Sequence, residues 1–187
     1  MKMNQLGTRI FIGVGVVIML LGAAFMYLSN RNRTLSPPGN ASLTNGSLDI
    51  SISYSRPSVR GRLIFGPESE GALQPWGSYW RLGANESTEI TFNQNVKFNG
   101  KDLPSGTYKM YAIPGEAEFQ VFINTSLGDW GAFESDSNLD LFSTPVPVVN
   151  NSHVEQHTIR LEKSDGGGIT IIVEFADVRL EIPLEPA

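Results

Sequence analysis

Two patterns of apolar residues divide the chain. Residues 10–28 form the run IFIGVGVVIMLLGAAFMYL, which contains 19 residues and no charged side chain. As a helix this run is about 28 Å long, close to the hydrocarbon thickness of a bilayer. It is apolar on every side, which a soluble domain of this size does not require. We therefore predict a transmembrane helix over residues 10–28.

A cleaved signal peptide is the alternative interpretation of the same run. Signal peptides have a short apolar region followed by a cleavage site of small residues. Here Gly22-Ala23-Ala24 is followed by the large residues of the segment 25–28. We favour an uncleaved signal anchor and keep secretion after cleavage as the alternative.

The charges that flank the helix indicate its orientation. Lys2, Arg9 and the terminal amine precede it, whereas Arg31 and Arg33 follow it. The positive-inside rule therefore favours a cytoplasmic segment over residues 1–9. We expect a single-pass protein of the inner membrane, with its C-terminal domain in the periplasm or outside the cell.

The rest of the chain alternates with a period of two. Residues 29–46, rich in Pro, Gly, Ser and Asn, predict a flexible linker. From Ser47 apolar and polar residues alternate, as in the segment 47–54 (SLDISISY) and in the segment 178–184. Alternation of this kind is typical of half-buried strands. The fold class we predict for residues 47–187 is all-β, an antiparallel β-sandwich, jelly-roll or Ig-like in outline.

Turn residues separate the predicted strands. Asn99-Gly100 suits a type I′ hairpin, which needs positive φ at both positions. Pro114-Gly115 and the segment 165–168, DGGG, interrupt two further pairs of apolar runs. The stretch 168–175, GITIIVEF, is apolar throughout most of its length and predicts a central strand.

Composition and charge exclude several classes of function. The absence of Cys excludes disulfide scaffolds, Cys-based zinc sites and thiol catalysis. The net charge is −5, and the four basic residues before Thr34 leave ten basic and 19 acidic side chains in the remainder. That remainder, with a net charge of −9, does not suit nucleic-acid binding, which needs a basic surface.

We also expect no metal and no other cofactor. His153 and His157 are four residues apart, which on a strand is about 13 Å, too far for both to bind one ion. Asp136, Asn138 and Asp140 alternate as calcium ligands do, but the glycine and the distal glutamate of an EF-hand are missing. A solvated loop is the better interpretation of that segment.

The segment 54–88 is where we expect any binding chemistry. It holds four of the ten basic residues of the exported part, together with two tryptophans and a tyrosine next to Arg81. Guanidinium groups in an acidic domain need carboxylate partners or an anionic ligand, and Glu86 is the obvious internal partner. No nucleophile elbow or phosphate-binding glycine loop is present in the exported part.

The same segment resembles a known family. The blocks Ser55-Arg56-Pro57, Gly61-Arg62 and Phe65-Gly66 precede Trp80-Arg81-x-Gly83-Ala84-Asn85-Glu86-x-Thr88. Further matching blocks are Gly100-Lys101, Leu103-Pro104-x-Gly106-Thr107-Tyr108, Ile113-Pro114-Gly115 and Trp130-Gly131-Ala132-Phe133. Together they resemble the bacterial family called domain of unknown function 2911, over about residues 48–184. The resemblance implies an exported, β-rich, single-domain protein but no reaction. The anchor-like helix and the acidic segment 134–140 depart from the family pattern.

Two hypotheses follow for the arginine-rich segment. The first has the arginines paired with Glu86 and with backbone carbonyls, with Trp80 packed in the core. The second has a pocket for a small polar or anionic ligand, or a glycan, over an apolar wall. The candidate ligand-binding residues are Arg56, Arg62, Trp80, Arg81, Asn85, Glu86 and Trp130.

Two further functions remain open. One is a structural or protein-interaction domain of the cell envelope. The other is a hydrolase that uses Glu86, which needs a second titratable group about 5–9 Å away. Asp102, Glu116 and Asp129 are the candidates for that group. We lean towards a protein without catalytic activity.

Overall fold

The structure, a computed structural model, describes residues 5–130 and 133–187. The chain divides into two compact units, with the boundary between Leu35 and Ser36. The first unit is a helix, and the second, which we call the β domain, is formed mostly of strands. Residues 1–4 of the predicted N-terminal segment lie outside the described residues.

Helix α1 spans Gln5–Leu35 and has 31 residues. Its segment Arg9–Leu35 is long and apolar enough to cross a membrane, with a mean hydropathy of 2.5 over its best window. The large apolar side chains of this segment are exposed, as a helix that faces lipid requires. A helix over the predicted residues 10–28 is confirmed.

The β domain contains eleven strands in its described residues, joined by turns and by three short 3₁₀ segments. The strands are β1 (Pro38–Asn45), β2 (Leu48–Ser55), β3 (Phe65–Gly66), β4 (Gln74–Pro75), β5 (Thr88–Phe92), β6 (Val96–Phe98), β7 (Lys101–Leu103), β8 (Gly106–Ile113), β9 (Glu118–Asn124), β10 (Asp140–Lys163) and β11 (Ile169–Pro186).

Nine strands follow one another in the hydrogen-bonded order β1-β2-β5-β8-β9-β10-β11-β6-β7, and every neighbouring pair is antiparallel. The two-residue strands β3 and β4 form a separate parallel pair. An antiparallel all-β fold after one N-terminal helix is therefore confirmed, while the sandwich topology stays a prediction. The apolar stretch predicted as a central strand is in β11, between β10 and β6.

One hydrophobic core holds the domain together. The apolar positions of β2 (Leu48, Ile50 and Ile52) are at most 3% exposed and alternate with exposed polar ones. They belong to the same buried cluster as Ile171 and Val173 of β11. The hydroxyl group of Tyr54 links β2 to β10, because it donates to the Ile159 carbonyl and accepts from the Ile159 N–H, both at 3.0 Å.

The predicted hairpin at Asn99-Gly100 is confirmed. Phe98 of β6 pairs with Lys101 of β7, and the two turn residues have φ of 46° and 79°. Positive φ at both positions is what a type I′ turn requires, and Asn and Gly tolerate it best. Local chemistry alone was sufficient to predict this turn.

The structure differs from the prediction of a flexible linker over residues 29–46. Helix α1 continues to Leu35, since the polar segment after Leu28 contains no helix breaker before Pro37. Strand β1 then pairs with β2 along its whole length. Ala41 and Leu43 pack against the core, and Asn45 donates to the Gly168 carbonyl at 2.7 Å. Despite its linker-like composition, this segment is an edge strand, because two of its apolar residues are half-buried against the core. The domain therefore begins at Ser36 instead of Ser47.

We expect Leu43→Ala to lower the free energy of unfolding by about 1–2 kcal/mol, less than for a fully buried leucine because the side chain is half-buried. Ser42→Ala, on the exposed face of the same strand, should change it by less than about 0.5 kcal/mol. Urea unfolding of the full chain in detergent micelles measures both. Equal values for the two variants would mean that β1 is not part of the cooperative fold.

Candidate functional site

The chain between β2 and β5 crosses one end of the β domain and brings the arginine-rich segment there. Trp80 forms an isolated bridge with Ala112 of β8, with both backbone hydrogen bonds at 2.8 Å. The chain then turns through residues 82–87 into β5. Gly83 permits this turn, because a Cβ atom there would lie 2.8 Å from the carbonyl oxygen of Ser55.

A cavity of about 260 Å³ opens in this region. It is lined by Ser36, Pro57, Arg62, Leu73, Gln74, Trp80, Arg81, Gly83, Ala84, Asn85 and Phe175. Four of the seven predicted site residues are among them, namely Arg62, Trp80, Arg81 and Asn85. Arg56, Glu86 and Trp130 do not line the cavity.

The floor of the cavity is aromatic. Trp80 is 2% exposed and stacks on Phe175, with the ring planes 14° apart and the centroids 6.5 Å apart. Phe65 and His157 contact the Trp80 ring edge-on. Trp80 is therefore a core residue, as the first hypothesis expected, and it also forms part of a cavity wall, as the second expected.

The two arginines of the cavity bind backbone carbonyls. Arg62 Nε donates to the Val59 carbonyl at 2.9 Å, and its Nη2 donates to the Ser58 carbonyl at 2.6 Å. Arg81 Nη1 donates to the Asn85 carbonyl at 3.3 Å. Each guanidinium has five N–H donors, so donors remain on both. No carboxylate is present among the lining residues.

Burial changes the electrostatics of Arg81. Desolvation lowers the pKa of its guanidinium below the ordinary value, and the nearby Tyr79 opposes this effect. A half-buried cation has lost part of its hydration, so an anion that contacts it gains more than at an open surface. Arg81 is therefore the group that we expect to contribute most to anion binding.

Asn85 lines the cavity at the turn of residues 82–87 that leads into β5. Its backbone has φ of 57°, a left-handed conformation that Asn tolerates, and its Nδ2 donates to the Ser36 carbonyl at 3.1 Å. Ser36 belongs to the segment predicted as linker, so the first residue of the β domain takes part in the site.

Arg56 lies elsewhere. Its Nε donates to the His157 carbonyl and its Nη2 to the Thr158 hydroxyl, both at 3.4 Å. It connects the end of β2 to the second half of β10. The carbonyl contacts of Arg56, Arg62 and Arg81 agree with the first hypothesis, and its pairing with Glu86 stays a prediction.

Glu86 and Trp130 come together beside the cavity. Their backbones form an isolated antiparallel bridge, and the Ser87 N–H donates to the Asp129 carbonyl at 3.1 Å. The Trp130 side chain is 42% exposed. The two residues that follow it in the family block, Gly131 and Ala132, lie outside the described residues.

A buried lysine fixes this loop. The Lys109 side chain is 2% exposed, and its Nζ donates to Asp129 Oδ2 at 2.5 Å. The same carboxylate oxygen accepts from the Ser126 hydroxyl at 2.7 Å, and the two hydrogen bonds lower the pKa of Asp129. The sequence does not predict a buried Lys109, because a lysine in an alternating strand usually faces water.

The three candidate partners for a Glu86 hydrolase have different surroundings. Asp129 precedes Trp130, which is bridged to Glu86, but the Asp129 carboxylate is engaged by Lys109 and Ser126. Asp102 pairs with Lys97 across the β6–β7 hairpin at 3.1 Å. Glu116 is exposed in the turn between β8 and β9. A hydrolase that uses Glu86 stays a prediction.

The described residues contain no cluster of three His, Asp or Glu side chains that would hold a metal ion. His153 Nδ1 lies 3.0 Å from Asp177 Oδ1 at an exposed position. Asp136 accepts hydrogen bonds from Asn138, and Asp140 accepts from Tyr111 and Asn124. These carboxylates hold the loop in place through protein contacts.

A larger depression of about 460 Å³ lies over β1, β2 and β5. Small hydroxyl residues form half of its lining, and its one carboxylate, Asp49, accepts a hydrogen bond from Thr44. It has no cationic side chain and no aromatic floor. The smaller cavity is therefore the better candidate for recognition of a charged ligand.

The family model called "Protein of unknown function (DUF2911)" matches residues 36–184. The chain belongs to the DUF2911 family. The match begins at the same residue as the β domain, so β1 is part of the DUF2911 domain. Searches of curated proteins and of solved structures returned no match. Membership in DUF2911 supports the boundaries of the β domain. It does not identify an activity, which must be argued from the residues of the site.

The sequence pattern favours an exposed polar side chain over a metal ligand at His157, and the structure gives this residue a different role. It is fully buried among Tyr54, Trp80 and Phe175, and its Nε2 lies 2.9 Å from the Leu82 carbonyl, to which it donates. Burial lowers the pKa of His157 to about 4, against backbone hydrogen bonds that favour protonation. The histidine is therefore neutral in the folded protein at pH 7.

We expect acid to destabilise the domain through His157. Between pH 6.5 and about 4 the unfolded state binds a proton at this histidine and the folded state does not. Stability is therefore complete above pH 6.5 and falls by about 3 kcal/mol as the pH drops to 4. Urea unfolding of the full chain across this range measures the fall.

Two variants isolate this effect. His157→Phe should be less stable at pH 7, since the Leu82 carbonyl loses one of its two donors and keeps only the Thr88 hydroxyl, but its stability should change less between pH 6.5 and 4. His153→Gln, which removes the exposed histidine, should keep the full fall. A fall of the same size in His157→Phe would mean that other groups cause it.

Proposed function

We propose that this protein is a membrane-anchored binding module whose β domain, on the outer side of the cytoplasmic membrane, binds a small anion in the cavity of Arg62, Arg81 and Asn85. The observation that carries the proposal is the pair of guanidinium groups at one cavity without a lining carboxylate. In a β domain of net charge −9, these cations are available to a carboxylate or phosphate group.

The other walls suit such a ligand. Trp80 and Phe175 offer an apolar face, while Asn85, Gln74 and Ser36 offer amide and hydroxyl groups. A few polar groups over an apolar floor are typical of small-molecule sites. A volume of about 260 Å³ limits the bound part to a small acid, one sugar-acid ring or a phosphate group.

The anchor is the second part of the proposal. The 19 uncharged residues of the predicted span are longer than a usual signal peptide core, and large residues follow the small ones. An uncleaved helix with its N-terminus in the cytoplasm holds the DUF2911 domain on the other side. The flanking charges favour this orientation.

The mass of the exported protein tests the anchor. We expect the protein extracted from membranes to keep the full chain mass of 20.5 kDa, since the helix is not removed. Intact-mass spectrometry of the membrane and soluble fractions measures this. A shorter protein in the soluble fraction, beginning after Ala24, would instead show that the helix is a cleaved signal.

Titration of the full chain with simple anions tests the cavity. Acetate, succinate, glucuronate and inorganic phosphate are added to the protein in an uncharged detergent, with sodium chloride at matched ionic strength as the reference. We expect saturable binding of at least one anion by calorimetry. Arg81→Gln should weaken it about tenfold or more, since hydrogen bonds to charged groups contribute about 1.5–3 kcal/mol.

Arg179→Gln is the matched control. Arg179 is a partly buried guanidinium on β11 that pairs with Glu174 and Glu181 and does not line the cavity. It should bind the anion as the unmodified protein does. If no anion saturates, or if both variants lose binding equally, the cavity is not an anion site. Unfolding of each variant must also be measured, because a large loss of stability in Arg81→Gln with no effect on binding would assign Arg81 a structural role.

A further inference from the structure

The chain enters the β domain at the end that carries the cavity. Ser36 is the first residue of the domain, lines the cavity and accepts a hydrogen bond from Asn85. The Pro37 carbonyl accepts from the Arg56 N–H at 2.8 Å. We call this region, from Ser36 through the cavity to the turn at residues 82–87, the tether end.

The length of α1 indicates where the tether end lies with respect to a bilayer. A helix of 31 residues is about 46 Å long, close to the 40–45 Å of a bilayer with its headgroups. Only Ser36 and Pro37 separate Leu35 from β1. If α1 is an anchor, the chain therefore leaves the membrane at the headgroup surface and enters the β domain within two residues.

Exposed apolar side chains surround the cavity at this end. Leu73 lines the cavity and is 45% exposed, and its N–H binds the carbonyl of Leu63, which is 43% exposed. Trp76 follows the lining residue Gln74 by two positions and is 39% exposed. Trp130, 42% exposed, is bridged to Glu86 next to Asn85. Tryptophan is enriched where a protein meets lipid headgroups.

Charge favours the same orientation. The β domain carries a net charge of −9, which a membrane surface with anionic lipids repels. Arg62 and Arg81 are cations that line a cavity of the tether end. Turning this end towards the headgroups brings guanidinium groups to phosphates, for which their donor geometry is suited.

We propose that the tether end rests on the membrane surface, with Leu63, Leu73, Trp76 and Trp130 in the interfacial layer and with Arg62 and Arg81 at the phosphates of lipid headgroups. This inference rests on the proposed anchor and deepens the proposed anion site, because it names a phospholipid as the anion. The β domain then contacts the lipid as well as being tethered to it.

Tryptophan quenching in nanodiscs tests the contact. The full chain is incorporated into discs of phosphatidylcholine with and without phosphatidylglycerol, and part of the lipid carries bromine at carbons 6 and 7 of an acyl chain. We expect Trp130 emission, taken as the difference between the protein and Trp130→Phe, to fall roughly twofold with brominated lipid, as for an interfacial tryptophan. Trp80, which is 2% exposed, gives an unquenched background and Trp76 a quenched one, and the difference removes both.

A tryptophan at the far end of the domain is the control. Ser47 is exposed in the turn after β1, roughly 25 Å along the strand from Pro38. In a Trp130→Phe background, emission added by Ser47→Trp should not be quenched. Equal quenching at both positions, or none at Trp130 in either lipid, would overturn the proposal.

The arginine part has its own measurement. The double variant Arg62→Gln, Arg81→Gln should reduce the quenching of Trp130 in discs with phosphatidylglycerol, and Arg179→Gln should not reduce it. If the double variant leaves the quenching unchanged, Arg62 and Arg81 do not bind headgroups.

Failure of this inference can be told apart from failure of the proposed function. A protein that binds free phosphate in detergent but shows no quenching keeps its anion site and loses the membrane contact. A protein that is quenched but binds no free anion keeps the contact and loses the site for a soluble ligand. A protein that does not enter the disc fraction lacks the anchor on which both depend.

Discussion

The pairing of strand β10 with two different neighbours is the interaction on which the β domain depends. Its first part, from Asp140 to Pro147, pairs with β9, and its second part, from Val148 to Lys163, pairs with β11. The register shifts between Asn150 and Thr158 mark irregular pairing in the second part. Such shifts bend a strand and redirect its side chains. Without β10, no strand pairing would join the group of β1, β2, β5, β8 and β9 to the group of β11, β6 and β7.

The aromatic floor of the cavity follows from this arrangement. Phe175 is in β11, Trp80 is bridged to β8, and His157 of β10 contacts both rings edge-on. Three elements far apart in the sequence thus supply one cluster. The arginines around it are held by carbonyls of nearby loops, so their charge stays available. A rigid floor and lightly engaged cations together make a site that needs little rearrangement to bind an anion.

The sequence predicted those features that depend on local chemistry. Alternation identified β2 and the end of β11, positive φ preference identified the turn at Asn99-Gly100, and 19 uncharged residues identified α1. It also grouped Arg62, Trp80, Arg81 and Asn85, because they are close along the chain. It did not predict β1, whose Ala41 and Leu43 give too weak an apolar signal among Asn, Ser and Thr. Phe175, Lys109 and His157 were missed as parts of the site or its supports, since their surroundings are made by distant strands.

The hydrogen bonds between Tyr54 and Ile159 have a consequence for the order in which the domain is made. They join residues 105 positions apart, and the core also needs β11, whose residues are synthesised after all the others described. Folds with contacts of such high sequence separation assemble slowly, because a long loop must close before it is stabilised. The core is therefore completed only after β11 has been synthesised. Until then, the edges of the earlier strands lack partners and are prone to aggregate.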